Sequence, residues 1–309
     1  MARCVVATAR RRTAGAPTLY AGCMILGSLA ASDLEPLLAI QHACAGEAAP
    51  WTAELLHRTL HDPARGGGDH VRVARDGDLV VGAIAWVPGG DTFYLSPLLA
   101  ANGAAARALV ELGLREAGAA SRIRVTTGAS DGGVARVLQD LGFAYHSEFL
   151  DLSRATGELS APAIAPLQWR SLSAADPARL LALHNETFRD VHSTLPLEPA
   201  DLEHLLHGAF AAASSIIADG DRYVGHLIAL RHATGPEPHA EIDAVGVLDS
   251  HRQRGLGRAM IARALAAAHR DGLPEMRALV SSLNAGSLEL HRRCGFVTRY
   301  RRFQWQLER

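Results

Sequence analysis

The sequence contains no lysine: all 31 of its basic residues are arginine. That excludes a Schiff-base lysine and a P-loop, whose lysine reaches the phosphates. Nor is there a basic excess: 32 acidic residues leave a formal net charge of −1, so no nucleic-acid partner is expected. Cysteine is scarce. Cys4, Cys23, Cys44 and Cys294 form no C-x-x-C pair and have no zinc-ligand spacing, so neither a disulfide framework nor a bound metal is expected. Reduced thiols in a cytoplasmic protein are the default. No apolar run approaches the roughly 20 residues that span a bilayer, so no membrane partner is expected either. What is abundant is aliphatic: 48% of the 309 residues are hydrophobic, enough to bury a sizeable core and to exclude a disordered or collagen-like chain. The length suggests about two domains.

Residues 1–23 carry Arg10-Arg11-Arg12 without a long apolar stretch, a poor secretory signal. They read as a disordered extension, or as the result of a start assigned too early, with Met24 as the true one.

From Met24 onward the chain repeats itself. Asp78-Leu-Val-Val-Gly82-Ala-Ile-Ala-Trp86 and Asp221-Arg-Tyr-Val-Gly225-His-Leu-Ile-Ala229 share a charged turn followed by a strand with glycine after an apolar pair. Each is followed by a strand, an Ala/Leu-rich helix (104–117 and 257–269), another strand, and a short helix. That helix ends at Leu141-Gly142-Phe143 or Cys294-Gly295-Phe296, and a last strand follows. The glycine suits the left-handed position after a helix. This order, read twice, predicts an α+β fold: two tandem units, each a mixed twisted sheet flanked by helices. The small-residue and proline-rich stretch 155–166 reads as a linker between unit 24–154 and unit 167–309.

The strongest motif is Arg252-Gln253-Arg254-Gly255-Leu256-Gly257-Arg258, between a strand ending at Val247 and a helix start. Turn glycines admit close approach of a phosphate, and the free N–H groups and dipole of the first helical turn favour an anion. It is not a dinucleotide fingerprint, because Met260 stands where the third glycine would be.

Together with Asn284-Ala-Gly-Ser287-Leu-Glu-Leu-His291-Arg-Arg-Cys294-Gly295-Phe296 downstream, this motif resembles the GNAT superfamily of N-acetyltransferases. The resemblance covers the second half, with a looser copy in the first. It implies a coenzyme-A-dependent N-acetyltransferase acting on the primary amine of a small molecule, as a monomer or homodimer. Acetyl-CoA would be the co-substrate. Residues Arg252 to Arg258 would hold its pyrophosphate, Val245 and Val247 would pair with its pantetheine arm, and Asn284 would reach it. Gly246 would lie where the strands bulge and part. In the first half Ala104-Ala105-Ala106 replaces the cradle glycines, Asp131 replaces Asn284 and Leu138 replaces His291, which reads as a degenerate copy without catalysis. The layout is similar to that of the mycothiol synthases, although His291 stands where a tyrosine is expected. Antibiotic-modifying acetyltransferases and a non-catalytic acyl-CoA sensor are the other readings.

Acetyl transfer needs a base for the ammonium and benefits from a proton donor for the departing thiolate. Glu241 and Asp243 lie two apart on the strand entering the cradle. Alternation puts both on one side, and so close a pair raises one of the two pKa values. Either Glu241 or Asp243 is then the base, or both are strand-end charges. His291 is the candidate acid or a helix-surface residue; Ser287 could order a water. Glu186, Asp190 and His192, at the end of the unit's first helix and in the loop beyond, are the candidates for holding the cationic substrate.

Overall fold

The computed structural model describes residues 3–4, 24–46, 51–61, 67–128, 132–191, 196–232 and 237–309. The expectation for residues 1–23 falls outside them, apart from Arg3 and Cys4. Contacts divide the chain into a unit of Met1–Glu148 plus Arg301–Arg309, and a unit of Phe149–Tyr300.

The first unit runs β1 (Arg3–Cys4), β2 (Met24–Gly27), α1 (Leu34–Cys44), α2 (Ala53–His61), β3 (Val71–Asp76), β4 (Leu79–Gly89), β5 (Thr92–Ala100), α3 (Gly103–Glu116), β6 (Arg122–Thr127), α4 (Gly133–Asp140) and the start of β7 (Ala144–Ala155). β1 to β5 form an antiparallel meander, and β6 joins β5 in parallel. Alternation along β4 builds two cores. Ala83 and Ala85 face α1 and α2, while Ile84 and Trp86 meet Leu109 and Val110 of α3.

The second unit repeats this: β8 (Gln168–Arg170), α5 (Pro177–Phe188), α6 (Pro199–His207), β9 (Ser215–Asp219), β10 (Arg222–His232), β11 (His239–Val247), α7 (Leu256–Arg270), β12 (Glu275–Ser281), α8 (Ala285–Arg293) and most of the first half of β13 (Val297–Glu308). β8 to β11 are antiparallel and β12 joins β11 in parallel. β10 is buried continuously from Val224 to Ala229, because helices cover both of its faces. Leu227 packs with Met260 and Leu265 of α7, and Ile228 with Leu180 and Leu202 of α5 and α6. Asp176 caps α5 by accepting from the Arg179 N–H, with Pro177 opening the helix, a favourable start. Gly142 and Gly295, at φ +89° and +82°, end α4 and α8 in the left-handed conformation expected of them.

The two units exchange their last strands. The strand on β6 is Phe303–Glu308, from the C-terminus, with Trp305 buried and its Nε1 donating to Thr127 Oγ1 at 3.0 Å. The strand on β12 is Phe149–Ala155, which precedes the linker. Within the linker, Ile164 is buried in the second unit's core. Among the described residues no helix is long and apolar enough to cross a membrane.

Candidate active site

The site begins where two parallel strands part. β11 pairs with β12 only over Ala240–Ile242 against Met276–Ala278, although both strands continue. On its other edge β11 stays paired with β10 as far as Val247. Ile242 faces Ala229 and Ala244 faces Ile228, so Asp243 is the extra residue of a β-bulge. The bulge resets the side-chain alternation. Ala240 and Ile242 point into the core under α7, and Ala244 points into the core under α5. Val245 and Val247 return to the α7 side. The bulge thus comes three residues before Gly246. Gly246 answers a different need: a Cβ there would lie 2.4 Å from Thr187 Oγ1 and 2.7 Å from His226 Cε1, so glycine lets α5 press onto the strand.

A cleft of about 280 Å³ opens at the parting, walled by Phe149, Phe188, Leu205 and Leu279, with Asp243 the one carboxylate lining it among the described residues. Asp243 is reached by solvent but surrounded by protein. Desolvation first, and the charge of Glu241 second, raise its carboxyl to about 6. Glu241 does not line the cleft. Its Oε2 lies 2.9 Å from His232 Nε2. Of the substrate candidates, Glu186 and Asp190 are exposed and neither lines the cleft; Asp190 pairs with Arg189 at 3.5 Å. His192 lies outside the described residues.

His291 does line the cleft and is 1% exposed, which removes the helix-surface reading. Its Nδ1 lies 2.8 Å from the Ser287 carbonyl. A carbonyl only accepts, so Nδ1 carries the proton and Nε2, buried without a partner, bears the lone pair. Burial lowers its pKa. A buried neutral imidazole of this tautomer has no proton on Nε2 to give, which opposes the acid role expected of it. Asn284 caps α8, its Oδ1 accepting from the Ser287 N–H at 3.0 Å, and also lines the cleft.

The pairing of His184 with His226 escaped the sequence reading. His184 on α5 lines the cleft and stacks on Phe188. Behind it His226 on β10 is fully enclosed. Burial lowers their pKa values to about 4 and about 3, so both rings are neutral near pH 7. A histidine inside the otherwise apolar run Val224–Ala229 was the available signal.

From the parting, β11 leads into the cradle. Gln253 and Gly255 take φ of +61° and +77°, an alternation about Arg254 that turns successive N–H groups toward one concavity. No side chain caps α7, leaving its first-turn N–H groups without an intrahelical partner. The glycines themselves serve packing. A Cβ on Gly255 would lie 2.5 Å from Pro162 Cγ, and one on Gly257 would lie 2.9 Å from Leu290 Cδ2. Arg258 donates to the carbonyls of Ser160 and Arg293, and Arg252 to that of Val247 while pairing with Asp249. These two arginines brace the loop; Arg254 is exposed. In the first unit the equivalent helix is closed, because Asn102 Oδ1 accepts from the Ala105 N–H at 2.9 Å and occupies the first turn that α7 leaves open. Asp131 lies outside the described residues.

Residues 178–296 match the model of the acetyltransferase (GNAT) family. The second unit carries a GNAT domain. No curated protein matches the chain in sequence. Among solved structures, a GCN5-related N-acetyltransferase from Sphaerobacter thermophilus superposes with a TM-score of 0.72 at 16% identity, covering 92% of this chain and 95% of that one. A tandem GNAT protein from the clavulanic acid biosynthesis pathway gives 0.65 at 17%, with 92% and 98% covered. A GCN5-related glucosamine N-acetyltransferase region of a fungal multi-domain β-N-acetylglucosaminidase gives 0.71 at 15%, with 94% of this chain but 38% of that one. The fold is therefore a tandem GNAT fold, and acetyl transfer is the general chemistry of the GNAT family.

Proposed function

We propose that the second unit transfers an acetyl group from acetyl-CoA to the primary amine of a small molecule. One observation carries this reading. The unpaired edge of β11 beyond the Asp243 bulge leads, through residues 248–255, to the uncapped N-terminus of α7. An extended arm with amides can add to such an edge as a strand does, and a pyrophosphate suits the turn at its end. Acetyl-CoA has both parts in that order. Val245 and Val247 flank the arm, the N–H groups of Gln253 to Arg258 meet the phosphates, and Arg254 adds charge. Asn284, its oxygen spent on the cap, offers Nδ2.

Asp243 is the base in this reading, since among the described residues it is the carboxylate in the cleft. It takes a proton from the substrate ammonium; the freed amine attacks the thioester carbonyl, and the tetrahedral intermediate loses its second nitrogen proton to water as it collapses and expels the thiolate. An alkyl thiol ionises at about pH 8.5, so the thiolate departs without help from neutral His291. Phe149 and Phe188 line the cleft beside it.

The test is an amine panel with acetyl-CoA, read by free thiol release and including the mycothiol precursor. Acetylation of one amine class, abolished by Asp243→Asn, is expected. Tight acetyl-CoA binding with no turnover on any amine would leave the acyl-CoA sensor in its place.

A further inference from the structure

We infer that the base of the β10–β11 hairpin is a binding site for a divalent transition-metal ion of the zinc class, held by His232, His239 and Glu241. The three donor atoms lie within 4.8 Å of one another. The sheet register puts them there. His232 is the direct cross-strand neighbour of His239, their rings stack at 4.6 Å, and Glu241 lies two residues along the same strand. Bonds of about 2.0–2.1 Å place tetrahedral ligands about 3.4 Å apart, so small side-chain rotations close the set around an ion.

Two further observations point to a cation. The Nδ1 of His239 lies 2.8 Å from the Glu237 carbonyl, so it carries the proton and Nε2 presents its lone pair. A backbone carbonyl behind the ring is a common way in which proteins fix a ligating imidazole. The Nε2 of His232 is buried and makes no hydrogen bond of proper geometry, although it sits 2.9 Å from Glu241 Oε2; an ion there would give this nitrogen a partner. The nearby Arg277 and Arg299 are neutralised by Glu237 and Glu275. Two imidazoles and one carboxylate suit zinc, with water completing the shell. Sequence spacing hid the set, because residues 232 and 239 are seven apart and meet only through the hairpin.

The inference is independent of acetyl transfer, and its test uses the full chain stripped by a chelator. Titration with Zn²⁺ by calorimetry is expected to give one equivalent bound and a higher thermal midpoint. Co²⁺ in its place is expected to show tetrahedral absorption bands without thiolate charge transfer. His239→Gln and Glu241→Gln should each weaken Zn²⁺ at least ~10–100-fold, the loss that even an outer-shell change causes; His204→Gln, at an exposed position elsewhere, should not. Because Glu241→Gln keeps the side chain's shape, it serves if the histidine variant misfolds. No binding to the wild-type chain, or binding that both ligand variants retain, overturns the inference.

Discussion

The Nε2 atom of His226 lies 3.3 Å from Nδ1 of His184, one ring fully enclosed and the other on the cleft wall. One nitrogen must donate and the other accept, so this contact requires that the rings not both be charged. The unfolded chain binds protons at about 6.5, whereas the folded chain resists to about 4 and about 3. These depressed values make the folded state fully favoured only above pH 6.5, with stability lost as pH falls through the window below it. Each histidine contributes a slope of up to about 1.4 kcal/mol per pH unit there. Urea unfolding from roughly pH 7 to pH 4.5 should show this loss, and His226→Asn should flatten it. An unchanged acid limb in that variant would show that the pair is not its source.

Asp243→Asn keeps the shape of the bulge residue and removes its capacity to take a proton. Turnover should fall about 10²–10⁴-fold, with acetyl-CoA affinity kept. Glu241→Gln, outside the cleft, should cost less. The reverse ranking would return the base role to Glu241.

His291→Phe should change turnover by less than about 10-fold, below the 10²–10⁴ of a true acid–base group. The Nδ1 proton is committed to the Ser287 carbonyl and burial disfavours a second proton. A loss in the full acid range would establish His291 as the donor to the thiolate.

Arg254→Glu places a negative charge at the middle of the Gln253–Gly255 turn. The Kd for acetyl-CoA should rise about 10–100-fold, the range of one charged hydrogen bond, while the thermal midpoint moves little because the side chain is exposed. Gly257→Glu would be the poorer probe, since it drives a side chain into Leu290. Unchanged affinity in Arg254→Glu would place the phosphates elsewhere.

The doubled α+β order was legible because helix period, strand alternation and the two Gly-Phe landmarks are local signals. The Arg252–Arg258 turn was legible for the same reason. The reasons for particular residues were not. Gly255 and Gly257 face Pro162 and Leu290, contacts that no spacing reveals. Strict alternation placed Glu241 and Asp243 together, and the bulge gave only Asp243 to the cleft. His184 and His226 are 42 positions apart and meet only once α5 lies on the sheet. The strand exchange was hidden most completely, since Phe303–Leu307 carries the same alternation whichever β-edge it finally joins.

That exchange has a consequence for handling the molecule. A protease cut in the 155–166 segment would break the polypeptide without separating its parts, because each compact body contains a strand encoded in the opposite half of the gene. Either half expressed alone would present a bare edge, β6 or β12, and invite filament-like self-association. The two halves produced together should instead reconstitute by complementation, and a nicked sample should run as one species under native conditions and as two in denaturant.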